Sequence, residues 1–292
     1  MNTLRKPTTI DVLRLLAVSA IWGSAFMCIT IALRDFSPIA IAGWRVAIAA
    51  VVVVLICRWQ GLAIPRDKKS LVLLAIVGLF NSAIPFSLVG WGQSQGVNSA
   101  STALLISASP FATLLFSHFM TQDDRFTWFK MIGMVIGSSG VVVLLSGELA
   151  GGGSAIGMLA ILSASFCYAF STLMIRKLGS IPGLVIVAGA LTVSTIVLMP
   201  LVLIYYPPTS QATSFESVAA LIYLAMLPTA LAYFLRTHIT QINGATFMSN
   251  AGYLIPFFAV IWGWLFLAES PQLNMLLALV LICGGIALGQ KR

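Results

Sequence analysis

Ten apolar segments follow one another along this chain, separated only by short polar breaks. Each is close to the roughly 20 residues that a helix needs to cross the hydrocarbon core of a bilayer. In the whole chain 59% of residues are hydrophobic and 8% are charged, which is too few charges for an ordinary water-facing surface. Backbone groups in lipid must be satisfied internally, and the segments lack the alternation of a membrane β-barrel. The sequence therefore predicts an all-α membrane protein with ten transmembrane helices.

We number the predicted spans 1 to 10 in chain order. Span 1 follows Arg5, Lys6 and Arg14, but it is too long for a signal-peptide core and lacks a clear small-residue cleavage site, so we expect it to be retained. The predicted limits are residues 11–33, 37–58, 70–92, 99–120, 127–146, 155–175, 183–206, 215–236, 245–267 and 272–289.

The distribution of positive charge predicts the orientation of the spans, because cytoplasmic loops collect Lys and Arg. With the N-terminus inside, fourteen of the sixteen basic residues fall on the cytoplasmic side, and only Arg34 and Arg45 do not. We therefore expect both termini in the cytoplasm. The net charge of +8 is therefore explained by the orientation of the spans in the membrane. Because the basic residues form no single clustered face, we expect no nucleic-acid partner.

The two halves of the chain resemble each other at an offset of about 145 residues, which indicates an internal repeat. Matching positions in the first and second halves are Asn98 and Asn243, Pro110 and Pro256, and Asp123 and Glu269. We expect one five-helix repeat at residues 1–147 and another at 155–292, joined by a Gly-rich periplasmic linker at 148–154. Because five is odd, the second repeat enters the membrane from the opposite side, so the repeats are inverted, as in many transporters.

Several short motifs have the order and spacing of a known family. They are Trp22-Gly23-Ser24-x-Phe26 in span 1, Pro38 with Arg45 in span 2, and Pro110 and Pro256, each followed by an acidic residue, Asp123 or Glu269. In these motifs the chain resembles the drug/metabolite transporter superfamily, specifically its EamA-type members with ten helices. Within that superfamily it looks most like the YddG-type exporters of aromatic amino acids.

The resemblance implies a multi-pass protein of the bacterial inner membrane that exports amino acids, aromatic ones included, or related small metabolites. Such transporters work by alternating access through a central cavity, without ATP hydrolysis. A multidrug, nucleoside or other metabolite exporter is the alternative within the same class. An intramembrane enzyme and a non-transporting assembly protein are the alternatives from other classes.

No motif in the chain supports chemical catalysis. The run Gly151 to Ser154 lacks the lysine of a phosphate-binding loop, so ATP hydrolysis is not expected. His118 and His238 are isolated near opposite span ends, and no Ser-His-acid set can be assembled. We therefore predict a protein that is not an enzyme, with no catalytic residue, no metal site and no cofactor.

Span 9 carries the clearest candidate binding surface. Asn250, Tyr253, Phe257 and Trp264 recur at helical spacing, which puts an amide and several aromatic rings on one stripe. An aromatic side chain could stack there while Asn250 bonds the polar end of a substrate. The alternative is a stripe that packs against a neighbouring helix. As a binding surface it predicts that Asn250→Ala or Tyr253→Ala abolishes flux.

Other polar and aromatic side chains at helical spacing complete the predicted substrate-binding set. For each hydroxyl the alternative is a bond to a backbone carbonyl or to a neighbouring helix. The set comprises Trp22 and Phe26 in span 1, Asn81 in span 3, Thr102 and Ser109 in span 4, Ser165, Tyr168 and Thr172 in span 6, and Tyr233 in span 8.

Four prolines fall inside predicted spans at corresponding places in the two halves: Pro85, Pro110, Pro228 and Pro256. Each removes a backbone hydrogen bond and bends its helix. The kinks could act as gates or could be fixed features of shape.

Arg45 lies about 10 Å along span 2 from Pro38, at 1.5 Å per residue. A cation inside a membrane span is a functional candidate by default, and here it could contact a substrate carboxylate. It could instead extend to the interface or cap the carbonyls of a broken helix.

Spans 5 and 10 carry glycines at close-packing spacing, such as Gly133, Gly137 and Gly285, with little polar chemistry. These faces could scaffold the bundle or could pair two copies of the chain in a homodimer. Small-molecule substrate and lipid are the other expected partners.

Overall fold

The computed structural model describes residues 7–120, 128–150, 153–179, 181–206, 213–243 and 245–289. Asp123, Gly151, Gly152 and Gly244, which belong to the predicted repeat and its linker, lie outside the described residues.

The described chain consists of helices and their connections. The spans are, in order, Thr9–Ala32; Pro38–Trp59; Lys68–Gly78 with Ile84–Ser94; Ser99–Ile106 with Ser109–Met120; Trp128–Ala150; Ala155–Lys177; Gly183–Tyr205; Phe215–Leu224 with Ala232–Asn243; Ala245–Ser249 with Ala251–Leu267; and Leu273–Gly289. Two π-helical stretches, Leu79–Ala83 in span 3 and Ala225–Leu231 in span 8, join the parts of those spans.

The prediction of an all-α polytopic membrane protein is confirmed. Within the described residues, nine helices are long and apolar enough to cross a membrane, and span 10 contributes a shorter apolar helix, Leu273–Leu288. Large apolar side chains such as Val51, Leu55 and Ile204 lie exposed on the outside of the bundle, which in water would be unfavourable and in lipid is not.

Several helices begin where a short polar side chain accepts a hydrogen bond from a backbone amide of the first turn. Such caps satisfy amides that have no partner within the helix. In each of the following pairs the first residue is the cap and the second donates its backbone amide: Ser37 and Ala40, Asp67 and Ser70, Asn98 and Ser101, Ser154 and Gly157, and Ser214 and Ser217.

Spans 3, 4, 8 and 9 are interrupted near their prolines. Pro85 directly follows the π-helical stretch of span 3, and Pro228 lies within that of span 8. Span 4 breaks at residues 107–108, just before Pro110, whereas Pro256 lies inside the second segment of span 9, after a break at Asn250. The interruptions therefore occupy corresponding places in the two halves.

The packing of the spans has a two-fold pattern. Span 1 packs against spans 8 and 9, and span 6 packs against spans 3 and 4. Span 2 packs against span 7, and span 5 against span 10. Exchanging each span for the one five places further along the chain leaves these pairings unchanged. We call spans 1, 8 and 9 the first bundle and spans 3, 4 and 6 the second bundle.

The glycines of spans 5 and 10 face each other within one chain. A Cβ on Gly285 would lie 2.4 Å from the carbonyl oxygen of Gly133 and 2.6 Å from the backbone nitrogen of Gly137. A Cβ on Gly140 would lie 2.9 Å from Cβ of Leu281. The small residues therefore let these two helices approach at backbone distance and scaffold the bundle.

Replacing Gly285 by Ala should destabilise the protein, because its methyl group would meet rigid backbone rather than a movable side chain. Overpacking of this kind costs about 1–3 kcal/mol. The neighbouring Gly284→Ala is the matched control, since a Cβ there has nothing within 4 Å. Thermal unfolding of the detergent-purified variants measures the difference, and equal midpoints for the two variants would contradict this packing.

Candidate functional site

Arg45 lies buried in the interior of the bundle, with 7% of its surface exposed. Its Nε donates a hydrogen bond of 2.8 Å to the hydroxyl of Thr229 in span 8. Its guanidinium carbon stands 3.9 Å from the ring centroid of Phe86 in span 3, the geometry of a cation–π contact. Side chains from two other spans thus hold this cation in place.

No carboxylate of the described chain pairs with Arg45. Tyr168 of span 6 packs against the core cluster that contains Phe86. The terminal nitrogens of Arg45, Nη1 and Nη2, make no hydrogen bond with described residues. An uncompensated cation in a low-dielectric interior costs several kcal/mol, so the site is suited to an anionic group from outside the chain.

The burial of Arg45 bears on the alternatives that the sequence leaves open. The side chain does not extend to the interface but turns inward, towards Thr229. It caps no broken-helix carbonyl directly, because its one described hydrogen bond is to the Thr229 hydroxyl, which donates to the carbonyl of Leu224 at 2.8 Å.

Three of the predicted aromatic and amide residues lie close together. Trp22 Nε1 donates to the carbonyl of Pro228 at 2.9 Å, and Asn81 Nδ2 donates to the Tyr233 hydroxyl, also at 2.9 Å. The rings of Trp22 and Tyr233 meet edge to face with centroids 6.2 Å apart. Asn81 and Pro228 lie in the π-helical stretches of spans 3 and 8, so both interrupted helices contribute to this cluster.

We call Trp22, Arg45, Asn81, Phe86, Tyr168, Thr229 and Tyr233 the central cluster. Trp22, Asn81, Tyr168 and Tyr233 belong to the predicted substrate-binding set, and Arg45 was the predicted cation. Phe86 was missed, although its place directly after Pro85 is a signal that could have found it. The cluster joins side chains from both halves of the chain, from Trp22 in span 1 to Tyr233 in span 8.

The span 9 stripe lies apart from the central cluster. Asn250 Nδ2 donates to the carbonyl of Phe247 at 3.1 Å, a local bond within its own span. Tyr253 packs with Val260 against a core of spans 4, 5, 6 and 10. Phe257 is 50% exposed and Trp264 is 59% exposed on the surface of the bundle. Tyr253 therefore packs between helices, whereas Phe257 and Trp264 lie on the outside of the bundle.

The predicted hydroxyls of spans 4 and 6 bond to backbone carbonyls of their own helices. Thr102 donates to Asn98, Ser165 to Leu162, and Thr172 to Tyr168. Ser109 begins the second segment of span 4, half-buried, and its carbonyl accepts from Thr113. The backbone carbonyl of Phe26 accepts from the Gln93 amide at 3.1 Å.

Two glutamate side chains accept hydrogen bonds from residues at the start of span 4. Glu269, which follows span 9, accepts from the backbone and the hydroxyl of Ser99 at 2.8 Å each, and from the Ala100 amide at 3.3 Å. Glu148, near the end of span 5, accepts from Asn98 Nδ2 at 2.7 Å and from the Ser101 hydroxyl. A negative charge at a helix N-terminus is stabilised by the free amides and the helix dipole. We call this the Asn98 end of the molecule.

At the opposite end, Asp11 is fully buried in the first turn of span 1. It accepts from the amide and hydroxyl of Thr8, from Asn243 Nδ2 at 3.2 Å, and forms an ion pair with Arg14 at 3.4 Å. These bonds join span 1 to span 8, which are members of the same bundle. We call this the Asp11 end.

The two-fold pattern of contacts is broken between these ends. At the Asn98 end, Ser99–Ile106 packs against spans 1 and 9, and Ile84–Ser94 packs against span 1. The equivalent segments at the Asp11 end are Ala245–Ser249 and Ala232–Asn243, and among the described residues they make no extensive contact with spans 3, 4 or 6. The two bundles therefore meet at the Asn98 end and diverge towards the Asp11 end.

Comparison with known proteins identifies the family. The model of the EamA-like transporter family matches residues 9–146 and again residues 155–289. The chain belongs to the EamA-like transporter family. It is therefore a multi-pass membrane transporter rather than an enzyme, and the resemblance to the drug/metabolite transporter superfamily is confirmed.

Relatives of this EamA-like protein are also named as transporters. The transporter YdfC of Bacillus subtilis is 26% identical over 287 residues, covering 97% of this chain and 92% of the relative. An S-adenosylmethionine/S-adenosylhomocysteine transporter of Chlamydia trachomatis is 26% identical over 276 residues, covering 88% and 82%. The inner membrane transporter YedA of Escherichia coli is 25% identical over 250 residues, covering 85% and 80%. This agrees with the predicted location in the bacterial inner membrane.

A solved structure has the same fold. It superposes with a TM-score of 0.70 at 19% sequence identity, and the match covers 97% of both chains. The likeness extends over the whole EamA-like chain and concerns the fold alone.

Replacing Arg45 by Met should leave the transporter at least as stable as the original. Removing an unpaired buried cation recovers a desolvation cost of several kcal/mol, against about 1–2 kcal/mol each for the Thr229 bond and the Phe86 contact. Thermal unfolding in detergent measures the change, with the exposed Arg34→Met as control. A loss of more than about 2 kcal/mol would assign Arg45 a structural role.

Proposed function

We propose that this transporter exports amino acids, aromatic ones included, and related small metabolites that carry a carboxylate. The observation that carries the proposal is the buried guanidinium of Arg45, whose terminal nitrogens make no hydrogen bond with any described residue. A guanidinium binds a carboxylate through two parallel hydrogen bonds, which makes it selective for this group.

The charge of the site favours this substrate class over the alternatives. A neutral nucleoside would leave Arg45 uncompensated, and a cationic drug would place a second positive charge beside it. A carboxylate neutralises the cation in a medium where a charge pair is worth more than in water. The central cluster therefore suits an anionic or zwitterionic metabolite.

The aromatic residues of the cluster suit the rest of an amino acid. Trp22, Tyr168 and Tyr233 present ring surfaces that could stack on an aromatic side chain or attract the ammonium group. The relative from Chlamydia trachomatis is named for S-adenosylmethionine and S-adenosylhomocysteine, both amino-acid derivatives with a carboxylate and a large ring system. This agrees with an Arg45 anchor combined with aromatic walls.

Alternating access is the proposed mechanism. If the charge distribution gives the orientation, the Asn98 end faces the periplasm and the Asp11 end faces the cytoplasm. The described conformation then has bundles that meet on the periplasmic side and diverge on the cytoplasmic side. That is the conformation in which an exporter takes up its substrate. Rocking one bundle against the other would reverse the opening.

Flux measurements in proteoliposomes test the substrate class. We expect the reconstituted protein to exchange labelled phenylalanine and other amino acids, and to transport their carboxamides at least tenfold less well, as the loss of a charge-assisted pair predicts. Arg45→Met should abolish this preference and most of the flux, while Arg34→Met should not. Equal transport of acid and amide by the original protein would refute a carboxylate anchor, and a preference for nucleosides would support the alternative.

The contacts of Glu269 should hold the Asn98 end closed. Glu269→Ala removes hydrogen bonds to the first turn of span 4, each worth about 1.5–3 kcal/mol for a charged acceptor. Since about 1.4 kcal/mol changes a population tenfold, opening at this end should increase by a factor of ten or more.

Labelling of an introduced cysteine measures that opening. Ala103 is fully buried in the first segment of span 4, so Ala103→Cys, in a chain with its four native cysteines replaced, reports access for a membrane-impermeant maleimide. Glu269→Ala should raise the labelling rate about tenfold or more. The control Glu216→Ala, an exposed acidic residue that begins span 8 at the same end, should not. Equal rates in all three backgrounds would mean that Glu269 does not hold this end.

A further inference from the structure

We propose that Thr229 is a positioning residue that fixes the orientation of Arg45 and thereby sets the preference for carboxylate substrates. The inference rests on the proposed function, because it assigns a role to a residue that acts on the substrate only through Arg45. Thr229 is fully buried, and its hydroxyl bonds Arg45 on one side and Leu224 on the other.

The direction of both hydrogen bonds follows from the chemistry of the partners. A carbonyl can only accept and a guanidinium can only donate, so the Thr229 hydroxyl gives its proton to Leu224 and accepts from Arg45 Nε. Both distances are 2.8 Å. A hydroxyl has a single proton, so this arrangement cannot reverse while Arg45 remains bound.

Pro228 explains why span 8 leaves regular α-helical geometry after Leu224. In a regular helix the amide of the residue four places later would bond the Leu224 carbonyl, but proline has no amide hydrogen. The chain adopts a π-helical stretch here, and the Thr229 hydroxyl reaches the carbonyl five residues back. The bond to Leu224 thus holds the Thr229 hydroxyl in place, and its oxygen accepts from Arg45 Nε.

The geometry of the guanidinium shows which edge remains for a ligand. Nε is engaged by Thr229, and the guanidinium carbon lies 3.9 Å from the ring centroid of Phe86. The edge formed by Nη1 and Nη2 keeps two parallel donors, the pair that a carboxylate binds with both oxygens. Without the Thr229 hydroxyl, Nε loses its one described hydrogen-bond partner, and the guanidinium is free to turn.

The expected effect of Thr229→Val is a loss of carboxylate selectivity rather than of transport in general. We expect the KM of an amino acid to rise about tenfold, as the loss of one hydrogen bond to a charged group predicts, while the KM of its carboxamide changes little. Thr229→Ser, which keeps the hydroxyl, should retain the original ratio of the two KM values.

The experiment is a comparison of KM and maximal rate for one amino acid and its carboxamide in proteoliposomes. Thr195→Val serves as the matched control, because its hydroxyl bonds the carbonyl of Leu191 within span 7. Thr229→Ala provides a second variant without the hydroxyl, should Thr229→Val fail to fold, as judged by size-exclusion chromatography. A merely structural role would lower the rates for both substrates together and leave the ratio intact, which would overturn the proposal.

The outcome separates this inference from the proposed function. If Arg45→Met removes the acid preference while Thr229→Val and Thr229→Ala keep it, the carboxylate anchor stands and the positioning role fails. If Arg45→Met itself leaves the preference unchanged, the proposed anchor fails, and the role of Thr229 fails with it. Loss of selectivity in Thr229→Val or Thr229→Ala, with rescue in Thr229→Ser, supports both.

Discussion

A buried positive charge with no acidic partner among the described residues is the constraint on which the functional interpretation of this transporter depends. Arg45 lies buried inside the bundle, where a charge loses most of its hydration. The described chain gives it one hydroxyl and one aromatic face, which orient the guanidinium but do not neutralise it. Such an arrangement is unfavourable for folding alone, and retention of a destabilising group is typical of a binding site.

The rest of the fold places this charge between two bundles of similar packing. Duplicated packing produces two similar bundles, and the tight glycine contacts of spans 5 and 10 provide a scaffold beside them. The central cluster draws on spans 1, 2, 3, 6 and 8, and therefore on both bundles. Since the bundles meet at the Asn98 end and diverge towards the Asp11 end, the break in the two-fold pattern supplies the asymmetry that alternating access requires.

Hydropathy predicted the spans because lipid imposes the same length and composition on every crossing helix. The prolines located the interruptions, since a missing amide disturbs any helix regardless of its neighbours. Contacts within the site could not be predicted from the sequence, because Arg45 and Thr229 lie 184 residues apart and only the packing of the helices brings them together. The span 9 stripe illustrates the same limit: periodicity identified a face containing Tyr253 and Phe257, but it does not say whether a face meets a cavity, another helix or lipid.

Equilibrium binding to the purified protein tests the central claim most directly, because it does not depend on transport or on the opening of either end. The measurement is the binding of a radiolabelled aromatic amino acid to detergent-purified protein with Arg45 and with Met at that position. We expect saturable binding to the protein with Arg45, and binding weaker by about a hundredfold to the Arg45→Met variant, because a bidentate charge pair of ~3 kcal/mol is lost. Equal affinity for the two proteins would contradict this claim.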